Sequence, residues 1–311
     1  MPFRLSINKT AKCVCLKHIS IIIVNWNVRE FLLKCLETIF KYTKNISYEV
    51  IVVDNASNDG SIEHMRRQFQ PQIQSGKLLI IENRHNLGFA KANNQGLKEA
   101  KGEYILFMNP DMELLDNTPL KMKQYMETNK DAAACTTRLL YGDKSIQPNV
   151  KKNPTICDQL LILLKLHHFF RTKCLKIYLQ KDFDYTTENQ VEQIMGAFIF
   201  MRAETIRLLG GWNEEYPIWW EDVDLCFNLN KKGQKIFFTP ISEVLHFEGK
   251  SFEQKSSLPK QKRFIKGMLT FFLKYKPKWQ YLVLLALSPL SLFLAYLTQI
   301  FKIKPRTQSK I

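Results

Sequence analysis

HISIIIVNWNVREFLLKCLETIFKY, residues 18–42, is the stretch whose reading decides the fold. Residues 18–24 are a short, largely β-branched run with no helical period, whereas from 28 to 42 the apolar side chains recur at helical spacing. A strand therefore hands over to an amphipathic helix through Asn25-Trp26-Asn27. Downstream the pattern repeats as a strand at 49–53, a helix at 61–69, a strand at 77–81, a helix at 88–100, and a strand at 103–108 ending in Asn109-Pro110-Asp111. Strands alternating with helices imply an α/β chain with a mostly parallel, Rossmann-like sheet and ligands gathered at the carboxyl ends of the strands. The polar clusters of this half fall at such ends.

Farther along, 131–140 reads as a strand and turn, and 155–180 is apolar and basic together, with 160–166 followed by His167, His168, Arg171, Lys173 and Lys176. That mixture suits an interfacial helix on a membrane and equally an amphipathic helix covering the sheet. Regular structure resumes with a strand at 193–201 and a short helix at 203–209 stopped by Gly210-Gly211. Trp219-Trp220-Glu221-Asp222-Val223-Asp224 then opens a helix to about residue 232, followed by a strand at 235–239 and by His246 within 244–250. No internal repeat or low-complexity linker interrupts the chain.

The net charge of +16 over 311 residues calls for an acidic partner. Residues 279–301 contain no Asp, Glu, Lys or Arg and are long enough to reach across a bilayer core of roughly 30 Å. Lys274, Lys276 and Lys278 precede that run and Lys302, Lys304 and Arg306 follow it, which directs the charge to membrane lipid. No helix carries the basic, aromatic-interleaved face of a nucleic-acid binder, so no nucleic acid is expected as partner. Pro289 admits a kinked or re-entrant hairpin as readily as a span, and a buried helix pair is the third option. Seven scattered cysteines without a secretory signal read as reduced thiols of a cytosolic domain, and Cys13 and Cys15 form no zinc motif.

Four places can carry chemistry. Asp54, directly after a buried strand, can accept the imide N–H of a pyrimidine or a ribose hydroxyl, or can cap the next turn. Asp111 can hold a divalent cation against a diphosphate, although Asn-Pro-Asp is also a favourable turn sequence. Glu221, Asp222 and Asp224 start a helix, where the dipole alone accounts for acids; Trp219 and Trp220 beside them add apolar faces that stack on sugars and raise carboxylate pKa values. His246 is a core histidine or a second metal ligand.

Taken in order, Ile21-Ile22-Ile23-Val24-Asn25-Trp26-Asn27, Val53-Asp54-Asn55-Ala56-Ser57, Asn86-Leu87-Gly88-Phe89-Ala90 with Asn93-Asn94-Gln95-Gly96, Asn109-Pro110-Asp111, Gly196-Ala197-Phe198, Gly210-Gly211-Trp212 and Trp220-Glu221-Asp222-Val223-Asp224-Leu225 form an ordered set. This set resembles glycosyltransferase family 2, particularly its rhamnosyltransferase-like branch, from about residue 18 to 251. The resemblance implies a GT-A domain over 1–258, with a nucleotide-binding half at about 18–112 and an acceptor half at about 113–258, and a basic, hydrophobic, membrane-associated helical tail at 259–311. By position it implies that Asn25, Asp54, Asn55, Asn86, Asn109 and Asp111 line the nucleotide site. Asp111 would be the last acid of the family's DxD motif, with Asn109 in place of the first. His246 would complete the site of a Mg2+ or Mn2+ ion. Asp222 would be the catalytic base, with Glu221 beside it, and Trp219 and Trp220 would meet the acceptor.

The implied reaction is inverting transfer of a sugar from a nucleotide-sugar donor to a saccharide acceptor, lipid-linked, at the cytoplasmic face of the cell membrane in surface polysaccharide synthesis. Rhamnose from dTDP-rhamnose is the first donor, and a UDP-hexose or UDP-N-acetylhexosamine the second. A nucleotidyltransferase would need a Gly-rich phosphate loop with a basic residue near the first strand, which is missing. A non-catalytic membrane-associated binding protein on the same fold need not keep Asp54, Asp111 and Asp222.

Overall fold

The computed structural model describes residues 17–170, 172–216, 218–248 and 257–300. Cys13, Cys15, Arg171, Lys250, Lys302, Lys304 and Arg306 lie outside the described residues.

The chain begins with β1 (Lys17–Asn25), α1 (Arg29–Tyr42), β2 (Tyr48–Asp54), α2 (Ser61–Gln68), α3 (Gln70–Gln74), β3 (Leu78–Glu82), α4 (Phe89–Glu99) and β4 (Gly102–Met108). β3, β2, β1 and β4 lie side by side in parallel, with Ile22 of β1 level with Ile51 on one neighbour and Phe107 on the other. β1 is buried on both faces, which explains its unbroken apolar run. Ile19, Ile21 and Ile23 pack with Leu32 and Leu36 of α1, while Ile22 packs with Ala92 and Leu97 of α4.

The second half comprises β5 (Met112–Leu114), α5 (Thr118–Thr128), β6 (Ala132–Leu140), β7 (Ile146–Gln147), β8 (Val150–Lys151), α6 (Ile156–Leu163), α7 (Lys173–Tyr178), β9 (Asn189–Val191), β10 (Gln193–Ile194), β11 (Phe198–Arg202), α8 (Ala203–Leu208), α9 (Glu221–Lys231) and β12 (Lys235–His246). Sheet order is β3-β2-β1-β4-β11-β6-β12-β5. β11 is antiparallel to β4 and β6, β12 is parallel to β6, and β5 is antiparallel to β12. The α/β expectation stands, but the sheet is mixed beyond β4, because an apolar run does not encode its direction.

Two strands differ from their sequence reading in ways that matter for the site. The run 193–201 breaks at Met195-Gly196-Ala197, where the Phe198 N–H returns to the Met195 carbonyl at 3.3 Å. β12 continues through Pro240 as far as His246, with a register shift between Phe238 and Glu243. Proline lacks an N–H, so a ladder tolerates it at such an irregularity.

Residues 155–180 form two helices rather than one, parted after Lys165, which adopts a left-handed φ of 57°. Leu175 and Tyr178 of α7 pack on Ile162 of α6, and Cys157 and Cys174 are joined as a disulfide across that contact. The reduced-thiol expectation holds at the buried Cys35, Cys135 and Cys226 and is overturned at this pair. A sequence separation of 17 belongs to no motif; tertiary packing brings the two together.

α10 (Ser257–Tyr275) and α11 (Lys278–Ile300) form a closing hairpin. Gln261, early in α10, donates to Ser291 Oγ, late in α11, at 2.9 Å, so the helices run antiparallel. α11 continues through Pro289, which rules out a re-entrant turn there. Leu284, Ser288, Ser291 and Ala295 make one buried stripe along it, and Ser291 Oγ donates to the Leu163 carbonyl of α6 at 2.6 Å. Trp279, Leu282, Leu285, Leu290, Phe293 and Tyr296 remain exposed on the other side. Among the described residues, the stretch Lys278–Leu297 is the one helix long and apolar enough to cross a membrane.

Candidate active site

The carboxyl ends of β1 and β2 meet through side chains. Asn25 closes β1 and is fully buried; its Nδ2 donates to Asp54 Oδ1 at 2.7 Å and to Ser57 Oγ at 3.1 Å. The other Asp54 oxygen accepts the Ser57 N–H at 2.8 Å. Asn55 donates to the Gly88 carbonyl at 3.2 Å, and its Oδ1 accepts from Asn83 Nδ2 at 3.0 Å and the Leu87 N–H at 3.4 Å. Asn86 is exposed, its Oδ1 taking the Gly88 N–H at 2.9 Å ahead of α4. Asn94 binds both the N–H and the carbonyl of Trp212, at 2.8 and 2.9 Å, tying α4 to the Gly-Gly-Trp loop. The asparagine-rich motifs therefore build a braced wall at the ends of the parallel strands.

At the end of β4, the Asn109 N–H donates to the Ala197 carbonyl at 2.9 Å. Asp111 is buried, and the antiparallel pairing of β12 with β5 sets His246 opposite Met112, beside it. His246 Nε2 lies 3.4 Å from Asp111 Oδ1. The ring is fixed from its far side, where Nδ1 is 2.9 Å from Gln147 Oε1, an acceptor, and Gln147 Nε2 donates to Glu248 Oε2 at 3.1 Å. With Nδ1–H donating, Nε2 of the neutral ring carries a lone pair, and it is buried without a hydrogen-bond partner among the described residues. A lone pair and a carboxylate oxygen facing each other favour a cation between them. These side chains fit a Mg2+ or Mn2+ ion that takes one or two protein ligands and completes its shell with diphosphate oxygens and water. Among the described residues no group of three His, Cys, Asp or Glu side chains surrounds a single point.

The third element is the start of α9. Asp222 Oδ2 accepts the Gly196 N–H at 2.9 Å, and Oδ1 accepts the Val223 N–H at 2.9 Å. Gly196 suits this close approach, since a Cβ there would stand a tight 3.1 Å from the Asp222 Cβ. Asn109 binds Ala197 and Asp222 binds Gly196, so the 195–197 turn brings the Asn109-Pro110-Asp111 corner and the acid helix together. Glu221 is 6% exposed, with Oε2 unpartnered among the described residues. Burial, reinforced by the neighbouring Asp222 charge, pushes its pKa up to about 8. Of the two adjacent carboxyls, Asp222 is the one with open surface, and Glu221 holds its proton at neutral pH.

Trp220 does not stand where an acceptor contact requires. It is 4% exposed, with its ring 5.7 Å from Phe264 and 5.5 Å from Phe271 of α10, so the tail occupies the face expected for a sugar. Trp219 is partly exposed and remains the aromatic beside the acids. Sequence reasoning missed Gln147 and Lys151. Lys151 is enclosed near Asp222 and Glu248, its ammonium 5.8 Å over the Tyr178 ring, and burial lowers its pKa while both acids oppose that shift. Neither residue belongs to a motif, and only the pairing of β7 with β6 and of β8 with β10 brings them to the cleft.

The glycosyl transferase family 2 model matches residues 20–187, and the glycosyl transferase family group 2 model matches 165–305. The chain is 24% identical over 242 residues to rhamnosyltransferase WbbL of Escherichia coli (strain K12), covering 76% of this chain and 87% of that protein. It is 23% identical over 213 residues to the N-acetylglucosaminyl-diphospho-decaprenol L-rhamnosyltransferase of Mycobacterium tuberculosis (strain CDC 1551 / Oshkosh), covering 65% of this chain and 67% of that one. The mannosyltransferase PcManGT from Pyrobaculum calidifontis, solved with GDP-Man and Mn2+, matches with a TM-score of 0.54 at 17% identity over 94% of this chain and 76% of its own. That likeness is one of fold. With the first family model spanning more than half of its length, this chain belongs to glycosyl transferase family 2 and is a glycosyltransferase of GT-A fold.

Proposed function

We propose that the chain is an inverting rhamnosyltransferase that uses dTDP-rhamnose and a divalent metal to extend a lipid-linked saccharide at the cytoplasmic face of the cell membrane, in surface polysaccharide synthesis. The observation that carries the reading is the 195–197 turn, which holds Asp222 on one side and the Asn109-Pro110-Asp111 corner on the other. The nucleotide lies over the ends of β1, β2 and β4, against Asn25, Asp54, Asn55, Asn86 and Asn109, in a half at about 18–112, and the acceptor enters the half at about 113–258 past Trp219. Asp222 takes the proton of the acceptor hydroxyl. The freed oxygen attacks the anomeric carbon opposite the diphosphate, the new C–O bond forms as the bond to the diphosphate breaks, and the leaving electron pair stays on phosphate oxygen. A Mg2+ or Mn2+ ion bound by Asp111 and His246 would neutralise that departing charge. Glu221, protonated beside Asp222, keeps a second negative charge out of the cleft.

Rhamnose as the sugar is supported by the two rhamnosyltransferase relatives, and a lipid-diphosphate acceptor by the decaprenol compound named for the mycobacterial one. Membrane association is supported by the exposed apolar side of α11 together with Phe169, 80% exposed, and Phe170. The buried stripe of α11 is packed along its length on α6 and α10, so the helix lies along the bilayer surface with its free side in the lipid rather than crossing it. Trapping the Cys157 and Cys174 thiols in intact cells tests the membrane side: a pair that can be reduced is expected at the cytoplasmic face, and a pair that stays oxidised would move the domain to the other side.

A donor screen tests the function: dTDP-rhamnose, UDP-glucose and UDP-N-acetylglucosamine, each with a polyprenyl-diphosphate saccharide, with and without chelator. The expected result is nucleotide release from dTDP-rhamnose alone, abolished by chelation. Release from a UDP-sugar instead would replace the donor, and no release from any donor by folded protein would overturn the reading.

A further inference from the structure

Asp224 is the acid of the α9 start that the reaction does not use, and it carries the densest set of contacts. It is 3% exposed, and its Oδ1 accepts from Tyr275 Oη at 2.8 Å, Tyr216 Oη at 2.9 Å and Asn213 Nδ2 at 3.3 Å, with Lys274 Nζ at 3.5 Å. Oδ2 accepts from Asn228 Nδ2 at 2.9 Å. Tyr275 and Lys274 end α10, so the tail reaches the third residue after Glu221 directly. A second grip lies one turn earlier. Trp220 precedes α9 in a left-handed conformation, φ 74°, without a side-chain cap on the helix, and its ring is held by Phe264 and Phe271. Gly267 of α10 approaches it so closely that a Cβ there would stand 2.7 Å from the indole Cδ1. Asp222 lies between the two grips.

We propose that α10 is a positioning element of the active site: through Trp220 and Asp224 it fixes the first turn of α9, and Asp224 and Tyr275 are positioning residues that aim Asp222. The α9 start is preceded by two left-handed residues, Trp219 and Trp220, with no side-chain cap from Trp220; the Gly196 N–H holds the Asp222 carboxylate from one side, and α10 holds the flanking residues from the other. A base needs a fixed orientation, since small misplacements of a reacting group cost large factors in rate. The proposal rests on the assignment of Asp222 as base.

The test compares full-length variants at saturating donor and acceptor. Tyr275→Phe removes the bond to Asp224 and keeps the ring packing. Gly267→Ala favours helix by about 1 kcal/mol but drives a methyl into the indole. Ser291→Ala loosens the tail at α6, away from α9, and controls for stability. Expected are a roughly tenfold fall in kcat for the first two variants, with dTDP affinity by calorimetry unchanged, and wild-type kcat for Ser291→Ala. Wild-type kcat in Tyr275→Phe and Gly267→Ala, with Asp222→Asn inactive, overturns the positioning role and spares the base. A fall in kcat that tracks the loss of thermal stability in all three tail variants also overturns it, and an active Asp222→Asn removes base and positioning role together.

Discussion

The ends of β1 and β2 and the start of α9 are both crowded with acids and amides, yet the first region is closed on itself and the second is left incomplete. Both oxygens of Asp54 have donors within the chain, and Asn55 uses its amide oxygen and nitrogen alike; the exception is Asn25 Oδ1, unpartnered among the described residues. Across the cleft, Glu221 Oε2 and His246 Nε2 are both buried and unpartnered among the described residues. A satisfied polar network rigidifies what it joins, whereas each unsatisfied buried group costs about 1–3 kcal/mol. Such a cost is retained where a ligand supplies the missing partner. Under the proposed function, the contrast separates a preformed wall for recognition from a corner that cation, diphosphate and acceptor would complete.

Breaking the reactive side should cost most. Asp222→Asn keeps the size of the side chain but cannot take a proton, and kcat should fall about 1,000-fold with dTDP affinity intact; turnover near wild type would end the base assignment. His246→Ala should weaken Mn2+ dependence by about 10–100-fold, read as the metal concentration giving half-maximal transfer. On the recognition side Asp54→Asn places an amide N–H against the donors of Asn25 or Ser57, and dTDP affinity should drop about tenfold while kcat at saturating donor stays unchanged. Equal losses in kcat at Asp54 and Asp222 would erase the distinction between the two regions.

The smallest effect concerns stability. Glu221 titrates near 8 in the fold against an ordinary value of 4.5. Its raised pKa means that folding takes up a proton, so its contribution is fully present below about pH 4.5 and is lost as pH rises through 8. Glu221→Gln removes that dependence. Thermal melts should show the variant above wild type by about 3–6 °C at pH 8, with the gap closing toward pH 4.5; a constant offset would mean that Glu221 is not a buried acid.

The parallel half was legible because β1, β2 and β4 are buried on both faces, the edge strand β3 keeps a short apolar run, and the helices repeat at their own period. β5 and α5 were missed, as three strand residues and a helix opening on Thr118-Pro119 give little pattern. The Asp111–His246 corner has no local signature: His246 reaches Asp111 only because β12 survives Pro240 and pairs with β5. Asp222 was readable from its place in the ordered motifs, but Gly196 as its donor was not, since that stretch reads as continuous strand. Trp220 misled for a physical reason: two tryptophans beside acids suit a sugar platform, and only packing against Phe264, Phe271 and Gly267 shows that the tail has taken the ring.

The central claim is a single displacement, with Asp222 on one side of the anomeric carbon and the diphosphate held at Asp111 and His246 on the other. The anomeric configuration of the first-formed product, read by NMR coupling constants, tests it most directly. Inversion relative to the donor is expected, and retention would contradict the account.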